Sequence, residues 1–457
     1  MNVEPKKITS DELVKILRNP HADILEISEE VPTIVLEDYI IEDTHIILYE
    51  GIEIHKPVKF KNCEFKSENF IYIDGVVWHE DVMFDSCTMS EGIHLSGATF
   101  KKELCFKFVF TKTIYVHRGF FEIISISGYD IEDITLSNAT FKEFYIGEYL
   151  LNQNIGELVV FSNSDEVGNI IVTQQNFGKI YLSGTNKDKK FDFENIKCND
   201  IKLDNFTNEG SLNFYGIEPI DFINDQRYFQ IVNSNLEKAQ FFRADFANYK
   251  EFIIIDSFIT DCLFIACKWT NNIRAIRGIG YGNFERSLKD GRKITTTETF
   301  AIKEAYRQLK ISMSKHSDKI QENIFYGEEL NFHNKTISWA LPWKNQFWDK
   351  LILHGSNTFS NYGQSFVKSL FWLIFGHLIL FSIAVLLDGF QSLHINFHNP
   401  TSVGFEDAFE KYFIYINPLR KPDTSFSGYL IFLDLLMRIW SSYMIYNLIR
   451  TSRRYIS

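Results

Sequence analysis

From residue 60 to 269 the apolar positions recur in a short phrase. An apolar residue is followed by a variable one, a small residue or Asn, then variable positions leading to another aromatic or aliphatic residue. Phe60-Lys-Asn-Cys-Glu-Phe65, Phe84-Asp-Ser-Cys-Thr-Met89, Leu95-Ser-Gly-Ala-Thr-Phe100 and Leu136-Ser-Asn-Ala-Thr-Phe141 are clear copies. Phe193-Glu-Asn-Ile, Leu203-Asp-Asn-Phe, Phe242-Arg-Ala-Asp-Phe246, Ile255-Asp-Ser-Phe and Ile265-Ala-Cys-Lys-Trp269 follow. Helical periodicity is nearly absent here, and Gly or Asn recur at turn spacing, so the stretch predicts strands. Copies sit ten or eleven residues apart, as from 84 to 95, and two such steps make a coil of roughly 20 residues, which is solenoid spacing. In a stacked coil inward side chains meet their counterparts above and below, small residues fit the corners, and Lys, Glu and Asp point outward. The 43 phenylalanines suit repeated inward contacts. A β-sandwich would lack the regular beat. The phrase loosens around 145–180 and 217–230, which leaves the continuity of the stack open there.

The pattern changes on both sides. Residues 1–59 read as an N-terminal cap: Ser10–Leu17 forms a short helix, with strands near Thr33–Leu36 and Thr44–Tyr49. After residue 270 comes a basic joint and helical connector, 271–365. Thr295–Glu298 has the form of a capping box, and a second helix starts at Ser317-Asp318, so a helical hairpin is expected. Residues 366–457 read as a membrane module. Ser369–Leu387 is nineteen residues without a formal charge, and Tyr429–Ile449 is twenty-one broken only by Asp434 and Arg438. Roughly 20 apolar residues cross a bilayer, so both runs are long enough for transmembrane helices. Pro342, Trp343 and Trp348 suit an interfacial segment.

Charge sharpens this picture. The chain carries −12, of which residues 341–457 contribute +3 and residues 1–340 contribute −15. Lys344, Lys350 and Lys368 precede the first run and Arg450, Arg453 and Arg454 follow the second. Lys and Arg favour the cytoplasmic side, which places both termini inside and the loop 388–428 outside. The opening residues MNVEPKKITSDELVKIL lack the apolar core of a signal peptide, so the soluble part is expected in the cytosol. Six cysteines without a close CxxC pair read as buried free thiols.

The phrases SNATF, SGATF and RADF resemble the pentapeptide-repeat family, whose coils are built from A-[DN]-L-x-x. The resemblance implies a mainly β chain: a right-handed β-solenoid, then a helical hairpin and two transmembrane helices. The segment TFAIKEAYRQLKISMSKHSDKIQENIFYGEEL and the phrase SNYGQS at 360–365 are similar to the connector of bacterial pentapeptide-repeat membrane proteins. By architecture the chain also resembles two-span channel effectors of anti-phage defence of the Hailong type. That likeness implies a homo-oligomer in the bacterial inner membrane, in contact with lipid and controlled by a nucleotide or single-stranded DNA ligand.

Candidate chemistry is sparse. No G-x-S-x-G, H-E-x-x-H, Walker loop or kinase set is present, so an enzyme is not expected, nor a cofactor or a metal. His394-x-x-x-His398 runs into Asn399-Pro400 and reads as loop. Asp434 and Arg438, four apart, share a helical face, and His377, Ser441 and Asn447 add polarity in the apolar runs. Such groups line a polar interior or form an intrahelical ion pair. Thr401-Ser-Val-Gly-Phe-Glu-Asp407 resembles the T-x-V-G-Y-G-D potassium filter, but Glu406 replaces the second Gly. It reads as a chance match preceding an external amphipathic helix. A basic cluster of Arg274, Arg277, Arg286, Lys289, Arg292 and Lys293 surrounds Tyr281. Arginine forks suit phosphates and Tyr281 suits base stacking, against the alternative of a solvated corner. The expectation is an oligomeric membrane channel gated by its solenoid. The alternative is a membrane-anchored interaction scaffold without channel activity.

Overall fold

The computed structural model describes residues 5–19, 25–28, 31–127, 130–147, 154–162, 167–220, 227–276, 296–388, 403–421 and 428–453. They fall into two compact units, Met1–Arg292 and Lys293–Ser457.

The first unit is a β-solenoid of about 10 turns. Strands pass alternately to two sheets of fourteen strands each, paired almost throughout in parallel. Partner strands are offset by 20 residues where Phe110 faces Asp130 and by 28 where Asp200 faces Tyr228. The step is thus not a fixed multiple of five. Beyond the N-terminal cap the longest steps enclose residues 221–226, and another enclosing 148–153 pairs Glu143 with Asn169. Extra residues therefore loosen the phrase at these places while the pairing continues through them.

Parallel register explains the phenylalanines. Phe84 lies opposite Phe60 on one side and Phe106 on the other, with ring centroids 4.8 and 5.3 Å apart. Phe193, Phe214, Phe241 and Phe264 form a second ladder, at 4.9, 5.3 and 4.9 Å. Each such pair contributes about 0.5–1.5 kcal/mol beyond its buried area.

The repeated phrase is the corner between sheets. Its third residue adopts the left-handed conformation: Asn62, Ser86 and Phe108 stack in one column, and Gly75, Gly97, Arg118 and Asn138 in another. Gln174, Asn195, Gly216, Arg243 and Ala266 resume the first column on later strands of the same sheet. The corner amide donates to the carbonyl one coil on, as from Asn62 to Asp85 and from Ser86 to Lys107, at 2.9 and 2.8 Å. A non-glycine residue costs about 1–2 kcal/mol in this conformation, which the corner bond and coil stacking offset. The next residue is turned inward and is often small, although Ile196 and Ile217 also stand there. Cys63 and Cys87 occupy this place, with their thiols on the carbonyls of Leu36 and Phe60. All six cysteines are free, four of them buried. Burial pushes the Cys267 thiol up to about 12.

Both ends of the stack are covered. Helix α1 (Ser10–Arg18) starts at a capping box in which Thr9 and Glu12 bond each other's backbone, and it buries Leu13, Val14 and Leu17. The strand Leu25–Ser28 runs antiparallel on Val31–Glu37. At the far end Trp269 lies 5.0 Å from both Phe246 and Phe264, closing the aromatic core.

The second unit is helical. Helices α2 (Thr296–Lys315) and α3 (Lys319–Thr336) form the expected hairpin. Asp318 caps α3 by accepting from the Gln321 amide at 3.0 Å, and Lys310 reaches Glu329 at 2.7 Å. The Thr295 end of the proposed capping box lies outside the described residues. Helix α4 (Asn345–Ser360) ends in three successive left-handed residues, Asn361, Tyr362 and Gly363. This is the SNYGQS phrase. Tyr362 is buried and accepts from Asn334 Nδ2 at 3.1 Å, while Gln364 donates to the Asn323 carbonyl at 2.6 Å, so the turn is fastened to α3. A Cβ on Gly363 would come within 3.1 Å of the Arg450 side chain.

Helices α5 (Phe366–Asp388), α6 (Val403–Ile416) and α7 (Tyr429–Arg453) complete the unit. Among the described residues one helix, over Phe366–Leu387, is long and apolar enough to cross a membrane. Helix α7 is 25 residues long, but Asp434 and Arg438 lower its hydropathy.

Candidate functional site: a polar network among buried helices

Helices α5 and α7 pack along a line set by small and aromatic residues. A Cβ on Gly376 would lie 2.3 Å from the Trp440 ring, so only glycine admits this approach. Trp440 Nε1 donates to the Trp372 carbonyl at 3.1 Å, and Phe359 stands edge-on to both indoles at 5.0 and 5.3 Å. Immediately beside them, His377 Nδ1 and Ser441 Oγ are 3.3 Å apart and wholly buried.

Helix α6 fills the groove beyond them. Tyr412 and Tyr415 join Phe381, Ala384, Leu433 and Met437 in an apolar cluster. The Tyr412 hydroxyl donates to the Ile374 carbonyl at 2.7 Å, and its ring lies 5.4 Å from His377. The helix foreseen after Phe405 therefore exists and is packed against its neighbours along one face.

The two charges of α7 meet at the edge of this cluster. Arg438 Nε donates to Asp434 Oδ2 at 2.8 Å, as their four-residue spacing implies. The second carboxylate oxygen takes the guanidinium of Arg420, from the turn after α6. Arg438 Nη1 also donates to the Arg420 carbonyl at 2.8 Å, and the Arg420 guanidinium lies 4.1 Å from the Tyr415 ring. The side chains of Arg420, Asp434 and Arg438 are 7%, 12% and 20% exposed. One carboxylate between two guanidiniums leaves a formal +1. Asn447 does not join this network: its amide donates to the Tyr443 carbonyl at 2.9 Å within the same helix.

Sequence reasoning singled out Asp434, Arg438, His377 and Asn447 but missed Arg420 and Tyr412. Both stand on the connecting segment, where nothing in the apolar pattern marks them as partners of the helices.

Of the basic cluster, only Arg274 is within the described residues. Its guanidinium pairs with Glu251 Oε1 on the adjacent strand at 3.2 Å, both side chains largely buried. Arg277, Tyr281, Arg286, Lys289, Arg292 and Lys293 lie outside the described residues. A separate open cleft of about 480 Å³ borders Gly327, Asn331, Asn361 and Gln364 in the helical unit.

The chain matches no protein-family model, no curated protein and no solved structure. The class the structure defines is a β-solenoid followed in sequence by a helical unit with, among the described residues, one helix long and apolar enough to cross a membrane.

Proposed function

We propose that this chain is a homo-oligomeric membrane channel of the bacterial inner membrane, with α5 and α7 as its two spans and the solenoid as its cytosolic control domain. The carrying observation is the unbalanced charge of the Arg420–Asp434–Arg438 network. An uncompensated charge within a bilayer is costly and turns toward water or another polar surface. The exposed side chains of the neighbouring span α5 are largely apolar, among them Phe371, Ile374 and Leu378. Two spans of one chain enclose no water path, so several copies around an axis are required. Both termini then share the cytoplasmic face.

A second reading has an observation in its favour. Each charge of the network finds a partner within one chain, as a structural staple would. On that reading the helices only anchor an interaction scaffold. One experiment separates the two: flux of a fluorescent-reported ion from liposomes holding the purified full chain. The channel reading expects flux that Asp434→Asn changes; sealed liposomes would leave the anchor.

In the channel reading the trigger is an anionic ligand, a nucleotide or a short DNA strand, held by the basic run that ends at Lys293. Arg274 is engaged by Glu251, so the ligand falls to Arg277, Arg286, Lys289, Arg292 and Lys293, with Tyr281 stacking. Arg277→Glu with Arg286→Glu should abolish ligand control while the oligomer persists. Ligand control that survives in this variant would place the sensor elsewhere.

A further inference from the structure

The solenoid brings together side chains that are far apart in sequence. The short strand Glu53–Ile54 pairs in parallel with Val77–Trp78, Glu53 opposite Val77. The His79 amide donates to the Ile54 carbonyl at 2.9 Å, which fixes the next step of the register. His55 and His79 thus occupy equivalent places on successive coils, with ring centroids 4.1 Å apart. Glu53, two residues before His55, projects from the same side of its strand.

We propose that Glu53, His55 and His79 form a binding site for a divalent transition metal, with Zn²⁺ as its ion. Glu53 Oε2 lies 3.5 Å from His55 Nε2 and 3.4 Å from His79 Nε2. All three ligand atoms fall within 4.8 Å of one another. A tetrahedral zinc ion with bonds of about 2.0–2.2 Å has ligand–ligand edges of about 3.3–3.6 Å. Two of the three edges already have that length. The third closes by turning the exposed His55 ring toward its neighbour. Two imidazoles and one carboxylate suit Zn²⁺, whereas Ca²⁺ and Mg²⁺ take oxygen ligands. Three protein ligands leave the fourth position to water. The ion would tie one coil to the next, and by binding the folded stack it would stabilise it.

Lys101 makes the proposal selective. It stands one coil further along, and its Nζ lies 3.2 Å from His79 Nδ1. An ammonium donates only, so Nδ1 accepts and the ring proton sits on Nε2. Metal on Nε2 needs the opposite tautomer, with Nδ1–H turned toward an acceptor. Lys101 is exposed and must swing away, and it therefore opposes the metal. A carboxylate in its place would accept from Nδ1–H and favour it.

The test is calorimetric titration of ZnCl₂ into the full chain, purified in detergent and stripped with chelator. The expected result is one saturable ion per chain, weakened at least about tenfold by His79→Ala and by Glu53→Gln. Lys101→Glu should tighten binding about tenfold or more, the usual weight of a partner behind a metal-bound imidazole. Zinc-edge absorption should show two nitrogen neighbours at about 2.0–2.1 Å. These side chains lie on the surface, so matching thermal unfolding of the variants in chelator confirms folding. No saturable site, equal affinity in His79→Ala, or unchanged or weaker binding in Lys101→Glu would each overturn the proposal.

Discussion

Neutralising Asp434 should harm the helical unit more than neutralising either arginine it binds. The network holds one carboxylate between two guanidiniums, all at most 20% exposed. Removing Arg420 or Arg438 leaves a one-to-one pair, while removing Asp434 leaves two cations with no counter-charge. At a separation near 4 Å and an effective dielectric of 20, each attraction is worth about 4 kcal/mol before desolvation is subtracted. Breaking a buried pair by deleting one partner costs about 3–5 kcal/mol. Asp434→Asn should therefore destabilise by about that much. Arg420→Gln and Arg438→Gln should cost about 1.5–3 kcal/mol each, the weight of a charged hydrogen bond. The background matters as much as the size. Once Asp434 is Asn, Arg438 is an unpaired cation, so adding Arg438→Gln should be neutral or stabilising. A double-mutant cycle read by thermal unfolding of the detergent-purified chain measures this. The argument fails if Asp434→Asn is the mildest of the three changes. It also fails if Arg438→Gln has the same sign and size in both backgrounds.

Two further outcomes follow from the packing and the titrating groups. Gly376→Leu should part α5 from α7, because even a Cβ there would lie 2.3 Å from the Trp440 ring; a cost of about 1–3 kcal/mol is expected, with a shift in tryptophan emission, and unchanged emission would contradict the contact. Half-buried Asp200 has its carboxyl raised above the ordinary 3.8, by burial first, against the opposing hydrogen bond from Gln230 and the charges of Lys179 and Lys202. Its folded form favours the proton, so its contribution is present below the ordinary value and lost as pH rises through the raised one. Asp200→Asn should therefore raise the unfolding temperature at pH 7 and lose that gain in acid; an equal shift at both pH values would rule this out.

How much of this could be read from the sequence depended on whether a residue's chemistry matched its local geometry. Asn62, Gly97 and Asn138 announce a corner because Asn and Gly tolerate the left-handed conformation. Phe108, Arg118, Gln174 and Arg243 occupy the same columns and announce nothing. Their conformation is imposed by the coils on either side, and no propensity encodes it. The helical hairpin was legible because its capping and periodicity are local. Arg420 was not, because it lies fourteen residues before Asp434 in sequence and outside both apolar runs. The Glu53–His55–His79 group was hidden for the same reason as the corners: its members are adjacent only once the coil length is known, and that length varies along the stack.

The same ion pairing has different weight in the two units, and this bears on where function lies. The solenoid carries Lys–Glu pairs between successive coils, such as Lys61 with Glu37, Lys112 with Glu91 and Lys142 with Glu122, at 2.6–2.7 Å. They are solvated, so each contributes little to stability. Their use is to disfavour slipped pairings, in which like charges would face each other. Such ladders repeat with the coil and mark no single place as special. The helical unit has no repeat to explain its charges. Arg420, Asp434 and Arg438 sit at one level of a largely apolar bundle, where apolar residues of similar size would be easier to bury. Their burial therefore needs a reason other than the repeat, and within the chain the geometry supplies one: each guanidinium is held by the shared Asp434 carboxylate.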